Sequence, residues 1–142
     1  FTAPPGRCNV KHCNGVTIID DTYNANLASS LAAIDYLNAF SGNGRKILVF
    51  GDMFELGTSS HEQHRQIGQK CSELNLDGVY TVGEHTKHTD SAISNGVDHS
   101  HYKSKDNLIT SLKKKIIAGD KILFKGSRGM KMEKVIAGVF NL

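Results

Sequence analysis

The chain has 142 residues, enough for one domain with a single core. Hydrophobic residues make up 39% and charged residues 22%, an ordinary globular balance, and no run of about 18 apolar residues exists to span a membrane. A net charge of +3 suits small phosphate- or carboxylate-bearing molecules, and the lack of a long basic run or aromatic-interleaved basic stripe speaks against nucleic acid.

The start, FTAPPGR, lacks Met, a basic n-region and an apolar h-region, so it reads as no signal peptide and as part of a longer protein. Pro4 and Pro5 fit the end of a hinge over residues 1–6. Cys8 to His12, then the turn-like Cys13-Asn14-Gly15, predict an antiparallel hairpin partner for a strand over Val16 to Asp20. Leu27, Leu31, Ile34 and Leu37 mark one helical face, and Ser41 to Gly44 stops it. Lys46 to Phe50 is a continuous apolar run, as expected of a strand buried on both faces. Ser59 and Glu62 have capping-box spacing, which predicts a helix from there to about Leu74. Gly78 to Val82 is a further parallel strand, followed by a polar segment and a weaker strand over Val97 to Tyr102. A helix is expected over Asn107 to Ala118, with Lys113 to Lys115 as a solvated face. Lys121 to Lys125 is the last strand and Met130 to Phe140 the last helix.

This alternation predicts a single α/β domain over 1–142. It is a Rossmann-like, doubly wound, mostly parallel sheet of about six strands, with an N-terminal antiparallel hairpin strand and about five flanking helices. Cys8, Cys13 and Cys71 are an odd set without C-x-x-C, which disfavours a disulfide framework or zinc site and fits a reducing compartment.

Ligands of open α/β sheets bind beyond the carboxyl ends of the strands. The exits here are Asp20-Asp21-Thr22-Tyr23-Asn24-Ala25-Asn26, Gly51-Asp52-Met53-Phe54-Glu55-Leu56-Gly57, Gly83-Glu84-His85 and Lys125-Gly126-Ser127-Arg128-Gly129. Each has a structural reading as well as a functional one. Asp and Asn there serve as turn residues or helix caps, and for Asn26 capping and ligand binding stand level. The last loop, standing before a helix, has the makings of an anion site, to which Lys125 and Arg128 add full charges. A carboxylate at the first exit suits sugar hydroxyls. No G-x-x-x-x-G-K-[ST], G-x-G-x-x-G or G-x-S-x-G is present, and His61-Glu62-Gln63-His64 is one residue short of the zincin motif.

Gly6-Arg7, DDTYNAN, GDMFELG followed by S-x-x-x-H, and KGSR with Met132-Glu133 together resemble the C-terminal domain of the Mur ligases, over Gly6 to about Val139. Within that family the resemblance is to the branch that joins D-Ala-D-Ala to a UDP-muramoyl-tripeptide. One departure is Leu27, where the family usually has proline after N-A-N. The resemblance implies the third domain of a cytoplasmic, monomeric, ATP-dependent enzyme of peptidoglycan synthesis acting through an acyl phosphate. Its P-loop and Mg2+ would sit on a central ATPase domain, and its UDP-substrate site on an N-terminal domain. It also implies residue roles. Arg7 would reach the ATP phosphates and Asp21 the ribose hydroxyls, with Tyr23 and Asn24 lining the nucleotide side. Asn26, Lys125, Ser127 and Arg128 would face the incoming dipeptide, the last three near its carboxylate. Asp52 and Glu55 would orient the acceptor amine or brace the loop, and Asp20 is a neighbour of Asp21 with no separate role. No catalytic residue or metal ligand is expected in this domain, which would supply positioning. Two other classes fit parts of the pattern. A phosphoacceptor receiver domain would use Asp20, Asp21, Asp52 and Lys125, but would place a whole βα unit between the acid pair's strand and that of Asp52. A non-catalytic interaction domain would keep the fold alone.

Overall fold

The computed structural model describes residues 7–94 and 96–142, so the expected hinge over 1–6 lies outside the described residues. The strands are β1 (Asn9–Cys13), β2 (Val16–Asp21), β3 (Lys46–Gly51), β4 (Gly78–Val82), β5 (Asp98–Tyr102) and β6 (Lys121–Lys125). The helices are α1 (Leu27–Asn38), α2 (Ser60–Glu73), α3 (Lys87–Ser91), α4 (Lys105–Lys115) and α5 (Glu133–Phe140), with short 3-10 turns at Gly57–Ser59 and Arg128–Met130. They form one six-stranded sheet in the order β1-β2-β6-β3-β4-β5. Among the described residues, only the β1–β2 pairing is antiparallel.

The hairpin follows from its two-residue loop. Asn14 and Gly15 both take positive φ, 52° and 80°, the requirement of a turn that matches strand twist. Elsewhere, alternation along the apolar strands divides the core in two. Ile47, Val49, Ile122 and Phe124 join Leu108, Leu112, Val135 and Ile136 under α4 and α5. Leu48, Phe50, Leu123 and Val79 join Ile34, Leu37, Ile67 and Cys71 under α1 and α2. Strands apolar on both faces are therefore covered on both faces, as their unbroken runs require.

The winding positions the site. β2 is followed by α1, which packs beside α2 on one face, while β6 is followed by α5, which packs beside α4 on the other. β2 and β6 are neighbours. Their exit loops therefore diverge to opposite faces, which opens a crevice at the carboxyl edge.

Three local expectations are corrected. Ser59 does not cap α2 through its side chain. The 3-10 turn before the helix leaves it at φ −87°, ψ 0°, and its hydroxyl donates to the Leu56 carbonyl at 2.8 Å while Glu62 pairs with Arg65. The fourth helix begins at Lys105 and ends at Lys115, because Ser104 accepts from Asn107 N–H and caps it early. The last helix begins at Glu133, after a separate turn, so the KGSR loop does not stand at a helix N-terminus. Leu27 takes the first helical position of α1 without disturbing it, since Asn26 and Ser29 complete a reciprocal cap in front.

Candidate functional site

Two clefts adjoin at the carboxyl edge and share Asn24 and Asn26. The first, about 540 Å³, runs between the starts of β1 and α1 and holds Arg7, Asp21, Tyr23 and Lys125. Strand alternation decides which of the paired acids faces it. Asp21 shares the side of Ile19, toward α1, whereas Asp20 shares the side of Ile18, toward α5. Asp21 and Lys125 are register partners on adjacent parallel strands, and Lys125 Nζ donates to Asp21 Oδ2 at 2.7 Å and to the Asn24 carbonyl at 2.8 Å. Lys125 is 2% exposed. It is therefore a buried tie between β6 and the first exit loop and lines the first cleft, whereas Ser127 and Arg128 line the second. The other carboxylate oxygen of Asp21 accepts from Cys8 N–H at 3.2 Å, which still leaves lone pairs open to the cleft. Burial, with the charge of Asp21 adding, pushes the Cys8 thiol up to about 11, so it presents no thiolate there.

Arg7 places its guanidinium 3.8 Å from the centre of the Tyr23 ring and has no carboxylate partner among the described residues. A cation stacked on an exposed aromatic ring, with a carboxylate on the same wall, fits a nucleotide in charge and shape. The opposite wall is α1, through Ser29, Ala32, Ala33 and Tyr36. That wall is absent from the expected site. Its signal was present in the spacing, since positions 29, 32, 33 and 36 fall on one helical face.

The second cleft, about 480 Å³, lies between the exits of β2, β3 and β6 and holds Asn26, Phe54, Glu55, Ser127 and Arg128. Ser127 builds it more than it faces it. Its N–H donates to the Asp52 carbonyl at 2.9 Å, its hydroxyl accepts from Phe54 N–H at 2.8 Å and reaches the Ala25 carbonyl at 3.4 Å. Three loops are thus joined by one small side chain. Glu55 is exposed, on backbone of φ 63°, an uncommon conformation for a non-glycine residue. Arg128 projects into solvent, paired with Glu133 at 2.8 Å.

The remaining expected residues brace this edge. Asp20 accepts from the Thr22 hydroxyl at 2.7 Å and from Lys11 Nζ at 3.2 Å. Asp52, 3% exposed, accepts from the N–H groups of Glu84, His85 and Thr86, each at 2.9 Å. Gly83 is needed beside it, because a Cβ there would lie 2.4 Å from Asp52 Oδ1. A carboxylate engaged in this way braces the loop. Among the described residues, no cluster of three or more His, Cys, Asp or Glu side chains is placed to hold a metal.

His64, the end of S-x-x-x-H, is the brace that the sequence did not assign. Fully buried, it accepts from Met53 N–H at Nε2 (3.0 Å), and its Nδ1 lies 2.7 Å from the Ser60 carbonyl, which fixes the neutral tautomer. Burial holds its pKa below the ordinary value of 6.5. The unfolded chain therefore takes up a proton that the native state resists, and stability falls as pH drops below about 6.5. The expected result is a melting temperature that declines from pH 7 to about 5, and more shallowly in His64→Gln, whose amide oxygen can accept from Met53 without titrating. Equal slopes for the two proteins would contradict this.

Fold and clefts together define an α/β domain with two clefts lined by charged and polar side chains at its carboxyl edge. The Mur ligase, glutamate ligase domain family matches residues 6–128, and the chain belongs to that family. The UDP-N-acetylmuramoyl-tripeptide--D-alanyl-D-alanine ligase of Bacillus subtilis (strain 168) is 38% identical over 134 residues, covering 89% of this chain and 28% of the relative. The ligase of the same description from Escherichia coli (strain K12) is 37% identical over 138 residues, covering 94% of this chain and 29% of the relative. Among solved structures, the MurF ligase from Thermotoga maritima in complex with ADP superposes with a TM-score of 0.85 at 31% identity, covering 99% of this chain and 32% of that one. The chain thus spans less than a third of the length of these proteins. The receiver-like alternative falls with this membership and with the engaged carboxylate of Asp52.

Proposed function

We propose that this chain is the nucleotide- and acceptor-positioning domain of a cytoplasmic ATP-dependent ligase, which forms a C–N bond between UDP-N-acetylmuramoyl-tripeptide and D-alanyl-D-alanine in peptidoglycan synthesis. The observation that carries the reading is the pair of adjoining clefts, one walled by Arg7, Asp21 and Tyr23 and the other by Arg128 and Asn26. Support for the substrates comes from the names of relatives at 37–38% identity, and for the nucleotide from the ADP complex of a structural neighbour. The central ATPase and N-terminal substrate domains of the parent enzyme would complete the site, with Mg2+ on the central one.

ATP supplies the activation of the tripeptide's carboxyl. The residues of this chain do the placing. Arg7 neutralises phosphate charge, Asp21 accepts from ribose hydroxyls while staying tied to Lys125, and Tyr23 and Asn24 complete that wall. Arg128 grips the dipeptide's carboxylate, with Asn26 beside it. Fixing both ligands on one rigid edge removes translational and rotational freedom ahead of reaction, an effect that can reach about 7 kcal/mol. Closure of the edge on the central domain excludes water.

A split in kinetic constants tests this in the intact enzyme. Arg7→Ala is expected to raise KM for ATP about tenfold or more and leave KM for D-Ala-D-Ala unchanged, and Arg128→Ala to do the reverse. Both side chains are exposed, so neither change threatens the core. If neither constant moves, the positioning role fails and a non-catalytic interaction domain takes its place.

A further inference from the structure

The Arg128–Glu133 pair differs from an ordinary surface ion pair in one respect. The outer oxygen of Glu133 receives Arg128 Nη1 at 2.8 Å, whereas its inner oxygen, Oε1, is shielded from solvent and has no hydrogen-bond partner. The Glu133 side chain is 38% exposed as a whole, but the shielding of Oε1 limits how far the carboxylate can turn and keeps Oε2 directed at the cation. Its backbone is fixed as well, as the first residue of α5, a helix anchored by buried Val135 and Ile136.

Arg128 has the opposite character. Its backbone sits in a closed turn, with Met130 N–H on the Ser127 carbonyl at 2.9 Å and Lys131 N–H on the Arg128 carbonyl at 3.2 Å. Gly129 in that turn lies against the Phe54 ring, where a Cβ would approach to 2.6 Å. The side chain, 60% exposed, has Glu133 as its one ion-pair partner among the described residues. Left alone, a long exposed arginine samples many rotamers, and ordering it on ligand binding costs affinity. The contact with Glu133 engages Nη1 alone and leaves the other donors of the guanidinium for a second carboxylate.

We infer that Glu133 is a positioning residue for the acceptor: it fixes the Arg128 guanidinium at the mouth of the second cleft, so that the unused N–H edge meets an incoming carboxylate. One carboxylate of the chain orients the cation and the ligand supplies the other. The inference rests on the proposed reading of that cleft as the acceptor site and adds a residue to it.

The test uses the intact parent enzyme with D-Ala-D-Ala and with its C-terminal amide, which offers no carboxylate. Glu133→Ala is expected to raise KM for the dipeptide about threefold to tenfold, the cost of ordering one long side chain on binding, with kcat and KM for ATP unchanged. For the amide, Glu133→Ala and the unmodified enzyme are expected to have equal KM. Glu133→Gln, which keeps an oxygen for Nη1, is expected to recover part of the effect and provides the reading if the alanine variant does not fold. An unchanged KM for the dipeptide in both variants overturns the inference, as does an equal rise for dipeptide and amide, which would mark a merely structural role. Arg128→Ala separates the two levels. If it raises dipeptide KM while the Glu133 variants do not, only the role of Glu133 falls. If it does not, the acceptor reading of the cleft falls and this inference with it.

Discussion

Lys125→Ala is expected to lower the stability of the chain by about 3–5 kcal/mol, because it strands Asp21 as an unpaired carboxylate with little access to water. In thermal unfolding followed by circular dichroism, that corresponds to a fall in Tm of roughly 10 °C for a domain of this size. The cause is the tie between adjacent strands. Nζ holds Asp21 on β2 and the Asn24 carbonyl in the loop beyond it, and Lys125 itself is 2% exposed. A double variant, Lys125→Met with Asp21→Leu, removes both charges at similar volume and should regain most of the stability. In the intact enzyme the same double variant should still show a raised KM for ATP, since the carboxylate proposed to accept from the ribose is gone. If the single variant melts within about 2 °C of the unmodified chain, the tie contributes little to folding.

Asp52→Ala is the second large effect. Three backbone N–H groups, those of Glu84, His85 and Thr86, lose their acceptor together. At about 1–3 kcal/mol for the buried Thr86 N–H and less for the part-buried N–H groups of Glu84 and His85, which water can reach, the expected loss is about 2–4 kcal/mol. Asp52→Asn keeps an acceptor oxygen but brings an amide donor against the same N–H groups, so it should fall between. Amide hydrogen exchange at Glu84, His85 and Thr86 gives the local measure, with protection lost in Asp52→Ala and largely unchanged at β1 and β2. Unchanged protection at those three positions would remove Asp52 from its role as brace.

Both effects bear on what could be read in the chain before it folded. The Asn14-Gly15 turn, the Asn26 cap and the two-sided strands depend on neighbours a few residues away, and each was legible from spacing and residue type. The failed cap at Ser59 shows the limit even at short range. A 3-10 turn carried Ser59 into helical backbone, and its hydroxyl then found the Leu56 carbonyl. Asp21 and Lys125 were both singled out, but as parts of different subsites. They lie 104 residues apart and became partners only when β6 inserted between β2 and β3. Asp52 and Ser127 carried both a functional and a structural reading, and their dense hydrogen bonding to distant loops favours the structural one.

Local chemistry therefore specified the alternating elements, the edge on which ligands would gather, and the family, through four short motifs at strand exits. The preference for Asp21 over Asp20 came from the family resemblance, and the folded sheet supplied its physical reason, since Ile18 and Ile19 fall in the cores of opposite faces. What waited for the folded chain was the division of labour within those motifs. A buried polar side chain takes the nearest partner that the sheet order brings to it, and that order is fixed by helix packing across the whole core. So Lys125, Asp52, Ser127 and His64 became braces, and Arg7, Tyr23, Asn26 and Arg128 were left facing the clefts.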